Sequence, residues 1–144
     1  MELTCRPARP GDGDAVETLR GHAREAVEGQ RGGAALLAEI DGAPAVGQTV
    51  VWCAAIDDLI VGYARAILQR DGSTTVFIRE VWVEPEAREV GAGEALVSAA
   101  LAWAIAEGAS AIDAWALPGS RELKNLFERM GLTARLLTVR RELG

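Results

Sequence analysis

The feature that most constrains this 144-residue chain is a change of pattern past its middle. Residues 74–83 are rich in β-branched and aromatic side chains, which suit a strand. A short loop carrying Gly91 and Gly93 follows. Residues 93–106 are then almost wholly apolar and full of alanine, the composition of a helix buried on most sides. A chain with this unit has to lay a helix across a sheet and come back to it. Gly108 ends the helix, and residues 111–117 read as a short strand reached by that crossover, which predicts parallel pairing with residues 74–83.

The flanking segments complete the picture. Residues 3–6 form a short strand stopped by Pro7 and Pro10. Asp12 or Asp14 can cap a helix with Val16, Leu19 and Ala23 at helical spacing. Gly29, Gly32 and Gly33 break it, and residues 34–39 form a second, shorter helix before a loop at Asp41, Gly42 and Pro44. Residues 49–56 and 59–68 read as strands joined at Asp57-Asp58, and Asp71-Gly72 is a hairpin signal leading into residues 74–83. These three strands should make an antiparallel meander. After the 111–117 strand, Leu123, Leu126, Phe127 and Met130 mark one helical face, Gly131 terminates it, and residues 134–140 supply a last strand. The expected class is α/β, with a mixed sheet in an α+β arrangement and the order β-α-α-β-β-β-α-β-α-β. A single domain over residues 1–144 fits this length.

Several function classes fall away. Every apolar run is broken by charge before a membrane span is reached. Glu2, Arg6 and Arg9 interrupt any signal-peptide pattern, so a cytoplasmic location is the default expectation. Cys5 and Cys53 cannot build a disulfide framework or a zinc site, and are expected reduced and buried. His22 is the single histidine, which rules out a histidine metal site; it reads as a helix-surface residue, and no metal is expected. With 15 Lys and Arg against 21 acids the formal net charge is −6, which disfavours nucleic-acid binding and suits a cationic substrate.

The loop Arg88-Glu89-Val90-Gly91-Ala92-Gly93 carries the chemistry. A helix N-terminus leaves backbone N–H groups unpaired and bears partial positive charge, and glycines allow close approach of an anion. Such a loop suits a phosphate or pyrophosphate, although a tight strand-to-helix turn would look the same. A dinucleotide fingerprint would need a third glycine where Leu96 stands. A kinase-type phosphate loop would need a lysine after Gly93, and the only lysine is Lys124.

The run from Val81 to Leu96, with Val83-Glu84-Pro85 ahead of Arg88-Glu89-Val90-Gly91-Ala92-Gly93, resembles the central motif of the GNAT N-acetyltransferases. Leu126-Phe127-Glu128-Arg129-Met130-Gly131-Leu132 is similar to that family's Leu-Tyr-Glu-x-Leu-Gly-Phe segment, and the element order agrees over nearly the whole chain. The resemblance implies a GNAT-like fold and transfer of an acetyl group from acetyl-CoA to a primary amine within a ternary complex. The acceptor would be a small amine or a protein amino group, and a homodimer would not be unusual. It assigns the CoA pyrophosphate to the backbone of Arg88, Glu89, Val90, Gly91, Ala92 and Gly93 with Glu94, and the pantetheine arm to the strand at Val81 and Val83. Ser120 stands where relatives often contact that arm with Asn; a helix N-cap is the alternative.

Glu80 is the candidate base. Relatives often carry a carboxylate in this strand, and a charge among apolar neighbours is costly unless paired or useful. Its alternative is a structural ion pair involving Arg79 and neighbouring strands. Phe127 replaces the tyrosine that often serves as general acid in the family, and Tyr63 lies on another strand. This departure keeps open a second class of function, a non-catalytic acyl-CoA-binding sensor. Glu89 and Glu94 sit close to the expected pyrophosphate and should turn to solvent. Trp52, Trp103 and Trp115 are expected in the core, Trp82 beside the acyl site, and residues 22–37 along the acceptor side.

Overall fold

A computed structural model describes residues 1–43, 47–117, 120–141 and 143–144. Pro44 and part of the loop predicted there lie outside the described residues. The strands are β1 (Leu3–Pro7), β2 (Gln48–Ile56), β3 (Leu59–Asp71), β4 (Ser73–Val83) and β5 (Ala111–Ala114). The helices are α1 (Gly13–Glu28), α2 (Gly33–Gly42), α3 (Ala92–Ala106) and α4 (Arg121–Arg129), with 3-10 turns at Pro10–Asp12 and Pro85–Val90. The sheet runs β1-β2-β3-β4-β5. The first three pairings are antiparallel and β4 pairs β5 in parallel, as the crossover predicts.

Turn chemistry sets the meander. Ile56 faces Leu59, so Asp57 and Asp58 form a two-residue loop, and both adopt left-handed backbone at φ 47° and 71°. Aspartate tolerates that region better than most side chains, and this twist matches the flanking strands. Gly72, at φ 73°, closes the next hairpin between Asp71 and Ser73.

Alternation along the strands divides the sheet into two working faces. Ala64, Ala66, Leu68, Val76 and Ile78 point to one face and form the core with Leu96, Val97 and Ala100 of α3, all buried. Burying a side chain such as Leu96 stabilises the fold by about 1.5–3 kcal/mol. The alanines bring α3 close to the sheet, and Trp103 meets Trp52 edge to face at 5.6 Å. Tyr63, Arg65 and Glu80 point to the opposite face, where α1 reaches them through Arg20.

Two expectations are corrected. Residues 134–140 form no strand: the segment carries no regular secondary structure, and Leu136 and Val139 are 90% and 83% exposed. Strand propensity needs a neighbouring backbone to pair with, and β5 is only four residues long with no partner on its outer side among the described residues. Asp12 occupies the N-cap position of α1 without capping it. Its carboxylate instead accepts from Arg6 and from the Arg9 N–H, both at 2.6 Å. Cys5 and Cys53 are free thiols, and no helix among the described residues is long and apolar enough to cross a membrane.

Candidate active site

The site begins where the sheet divides. β4 and β5 are paired only as far as Ile78 and Ala114. Beyond that point residues 79–83 remain paired to β3 but have no strand on their other edge among the described residues. Val81 and Val83 lie on this open stretch, so their placement agrees with a strand edge that an extended ligand arm can join.

The glycine loop packs directly onto the same end of β4. Arg88 donates from Nε to the Val83 carbonyl at 2.9 Å, lays its guanidinium 4.7 Å over the Trp82 ring and pairs with Glu122 at 3.0 Å. Gly91 takes φ 87°, a left-handed conformation that turns the chain into α3. The first bond of the helix runs from the Ala95 N–H to the Gly91 carbonyl at 3.0 Å. The N–H groups of Ala92, Gly93 and Glu94 therefore lack helical acceptors; that of Glu94 is taken by its own carboxylate, and no side chain caps the others from the N-cap position. Gly93 has a further reason to be glycine: a Cβ there would come within 3.0 Å of Leu126 Cδ2, so the missing side chain lets α4 lie against the start of α3.

The acidic residues of the loop separate. Glu89 is exposed. Glu94 pairs with Arg129 at 2.5 Å, and that hydrogen bond, then one from its own backbone N–H, holds its carboxyl below the ordinary value. Arg129 thus brings a positive charge toward the helix start. Val90 and Gly91 are half-buried, and Ala92 and Gly93 are buried.

Glu80 sits on the α1 face as the centre of a polar cluster. It accepts from Tyr63 Oη at 2.8 Å, Arg20 Nε at 3.0 Å and Arg65 Nη1 at 2.8 Å. Burial raises its carboxyl, but the hydrogen bonds from Arg65 and Tyr63 and the charge of Arg20 outweigh burial and hold it below the ordinary value. Burial, followed by the charge and hydrogen bond of Glu80, pushes the Tyr63 phenol far up. Glu80 is therefore ion-paired through β3 and α1, without the Arg79 part of the expected arrangement.

A β-bulge explains why. Arg65 faces Glu80 while Ala66 faces Ile78, so Arg79 has no counterpart on β3. The extra residue puts Arg79 and Glu80 on the same side of the sheet. Arg79 enters an open cleft of about 510 Å³ between α2 and the sheet, with Phe77 and Trp115. Burial, then the like charge of Arg65, pushes its guanidinium below its usual range. Trp115 is accordingly not a core residue; it meets Phe77 edge to face at 4.6 Å beside the cleft. From the 22–37 segment Ala35 lines this cleft, joined by Ala38 and Glu39.

Other placements differ from expectation. Ser120 stands at the N-cap of α4 but does not cap it; its hydroxyl donates to Gln30 Oε1 at 3.1 Å. Phe127 is buried in the core with Leu126. His22 Nδ1 lies 2.5 Å from Glu84 Oε1, at the end of β4. Their separation of 62 residues left no local signal of this pair in the sequence. No cluster able to hold a metal occurs among the described residues.

The open β4 edge ends at Val83, where Arg88 ties it to the loop before the uncapped start of α3, an order that fits a ligand with an extended arm and a pyrophosphate. The acetyltransferase (GNAT) family profile matches residues 15–132. None of the curated proteins matches. Among solved structures, the aminoglycoside acetyltransferase AAC(6')-Iy, in complex with a bisubstrate analogue of CoA and acetylneamine, superposes with a TM-score of 0.72 at 19% identity, covering 99% of this chain and 100% of that one. An acetyltransferase of Trypanosoma brucei gives 0.73 at 23% identity, with 99% and 100% covered. A Bacillus halodurans protein described as a transcriptional regulator gives 0.75 at 19%, again with 99% and 100% covered. The likeness to these structures is one of fold, and the profile match over most of the chain establishes that it belongs to the GNAT acetyltransferase family.

Proposed function

We propose that the protein is an acetyl-CoA-dependent N-acetyltransferase that acts on a primary amine by direct transfer in a ternary complex. One observation carries this reading: the edge of β4 left free past the fork at Ile78 and Ala114 runs to Val83, whose carbonyl accepts from Arg88 of the loop that leads into the uncapped start of α3. In this reading the backbone from Arg88 to Gly93, with Glu94, holds the CoA pyrophosphate, while Val81 and Val83 pair with the pantetheine arm. Ser120 flanks that arm. Acetyl-CoA supplies the activated acyl group, whose thioester carbon bonds to the amine nitrogen as the C–S bond breaks and the thiolate leaves with its electron pair. The solved relative with an acetylneamine analogue supports a small amine as acceptor.

The amine must shed a proton before it attacks. Glu80, held ionised by its three donors, is the proposed acceptor of that proton through water. The His22–Glu84 pair, just past the end of the same strand, is a second candidate for that role. Core burial of Phe127 favours one competing reading, a non-catalytic acyl-CoA sensor, because no hydroxyl occupies that position to protonate the thiolate.

Calorimetric titration with acetyl-CoA, beside Gly91→Asp, tests the proposal. Aspartate tolerates left-handed backbone and brings a carboxylate to the orphan N–H groups. The expected outcome is micromolar binding that weakens at least about tenfold in the variant at unchanged melting temperature, with free CoA released when amines are added. Binding without release from a broad amine panel would support the sensor. Absence of binding to well-folded protein would sink both readings.

A further inference from the structure

Arg79 is a buried cation that the acetyl-transfer mechanism does not use. It is 9% exposed, its Nε is enclosed without a hydrogen-bond partner, and it makes no ion pair among the described residues. Its guanidinium carbon lies 5.5 Å from the Phe77 ring centre and 6.0 Å from that of Trp115. Aromatic faces offset only part of the cost of taking a guanidinium out of water. Glu80, its chain neighbour, is already taken by Arg20, Arg65 and Tyr63. Glu39 stands exposed at the cleft rim and forms no ion pair with Arg79.

The position is as telling as the lack of a counter-ion. β4 and β5 part after Ile78 and Ala114, so Arg79 and Trp115 are the first residues past the fork on either side. The bulge inserts Arg79 there and turns it into the cleft of about 510 Å³, away from the α3 core. Phe77 and Trp115 give that cleft flat apolar walls, and Ala35 and Ala38 leave room opposite them. A guanidinium between aromatic rings in such a cleft matches a carboxylate attached to an apolar or aromatic body.

We propose that this cleft is the acceptor site and that Arg79 binds a carboxylate of the acceptor, so that the substrate class is an amino carboxylate with an apolar or aromatic body. The proposal builds on the acetyl-transfer reading, because the cleft adjoins the β4 edge assigned to pantetheine. It runs against the polycationic acceptors that the overall charge of −6 would attract.

The test is titration of the whole chain, without acetyl-CoA, with L-phenylalanine, L-phenylalaninamide and spermidine. Wild type is compared with Arg79→Gln and Arg79→Lys, each checked by thermal melting. L-Phenylalanine should bind at least about tenfold more tightly than its amide to wild type, the two should bind alike to Arg79→Gln, and Arg79→Lys should restore part of the preference. Preference for the amide or spermidine, no binding of L-phenylalanine, or a carboxylate preference that survives in Arg79→Gln would overturn the proposal. Since these titrations omit acetyl-CoA, a retained carboxylate preference in a protein that fails to bind acetyl-CoA would sink the acetyl-transfer reading alone.

Discussion

Glu80 holds three donors from two elements, Tyr63 and Arg65 on β3 and Arg20 on α1, and two of them are cations. Replacing it with glutamine would leave Arg20 and Arg65 close together around a neutral amide. Both arginines are about one-third exposed, so water screens part of the loss. Glu80→Gln should lower the unfolding free energy by about 1–3 kcal/mol, read from urea denaturation. If Glu80 also takes the amine's proton, kcat falls while KM for acetyl-CoA holds; a fall only in His22→Ala would move that role to His22 and Glu84. At this scale the sequence was least legible. Val81, Val83 and the loop residues stood in one contiguous motif. The partners of Glu80, and the meeting of His22 with Glu84, depend on contacts across 15 to 62 residues that no local pattern encodes.

Among elements, the junction of α3 and α4 is set by a missing side chain. Gly93→Val would drive atoms into Leu126, which is buried and 3.0 Å from the position of a Cβ. The variant should lose about 1–3 kcal/mol of stability by urea denaturation. Combined with Leu126→Ala it should lose less than the two single effects added, because the second change makes room for the first; strict additivity would show that the contact does not couple the helices. The meander and the βα crossover were readable because Asp57-Asp58, Asp71-Gly72 and the alanine-rich run are local signals. The strand expected at residues 134–140 was not forthcoming because Leu136, Leu137 and Val139 describe a propensity and say nothing of a partner. Bulges escape sequence reading for a related reason: an extra residue at Arg79 shows only against the register of β3.

For the molecule as a whole, the carboxylates with lowered values are tied to cations. Arg6, then the Arg9 N–H, hold Asp12 at about 2; Arg24 lowers Asp41; Glu80 and Glu94 are lowered as described. A carboxyl whose folded value lies below its unfolded one stabilises the fold fully above the unfolded value, and that contribution is lost as pH falls through the folded value. The melting temperature should therefore change little between about pH 8 and 5 and decline below about pH 4, continuing toward the range where Asp12 titrates. A melting temperature that rises on acidification would contradict these pairings. The overall charge of −6 gave no hint of Arg79, because a net count averages over the surface and a buried guanidinium acts only on what enters its cleft. The bulge that places Arg79 also governs how this chain tolerates genetic change. Because Arg79 is the extra residue, deleting it would leave Ile78 opposite Ala66 and Glu80 opposite Arg65, so the residues that follow keep their faces and their register. The gene can therefore lose the codon of position 79, and with it the proposed carboxylate contact, while residues 80–83 stay in place on β3.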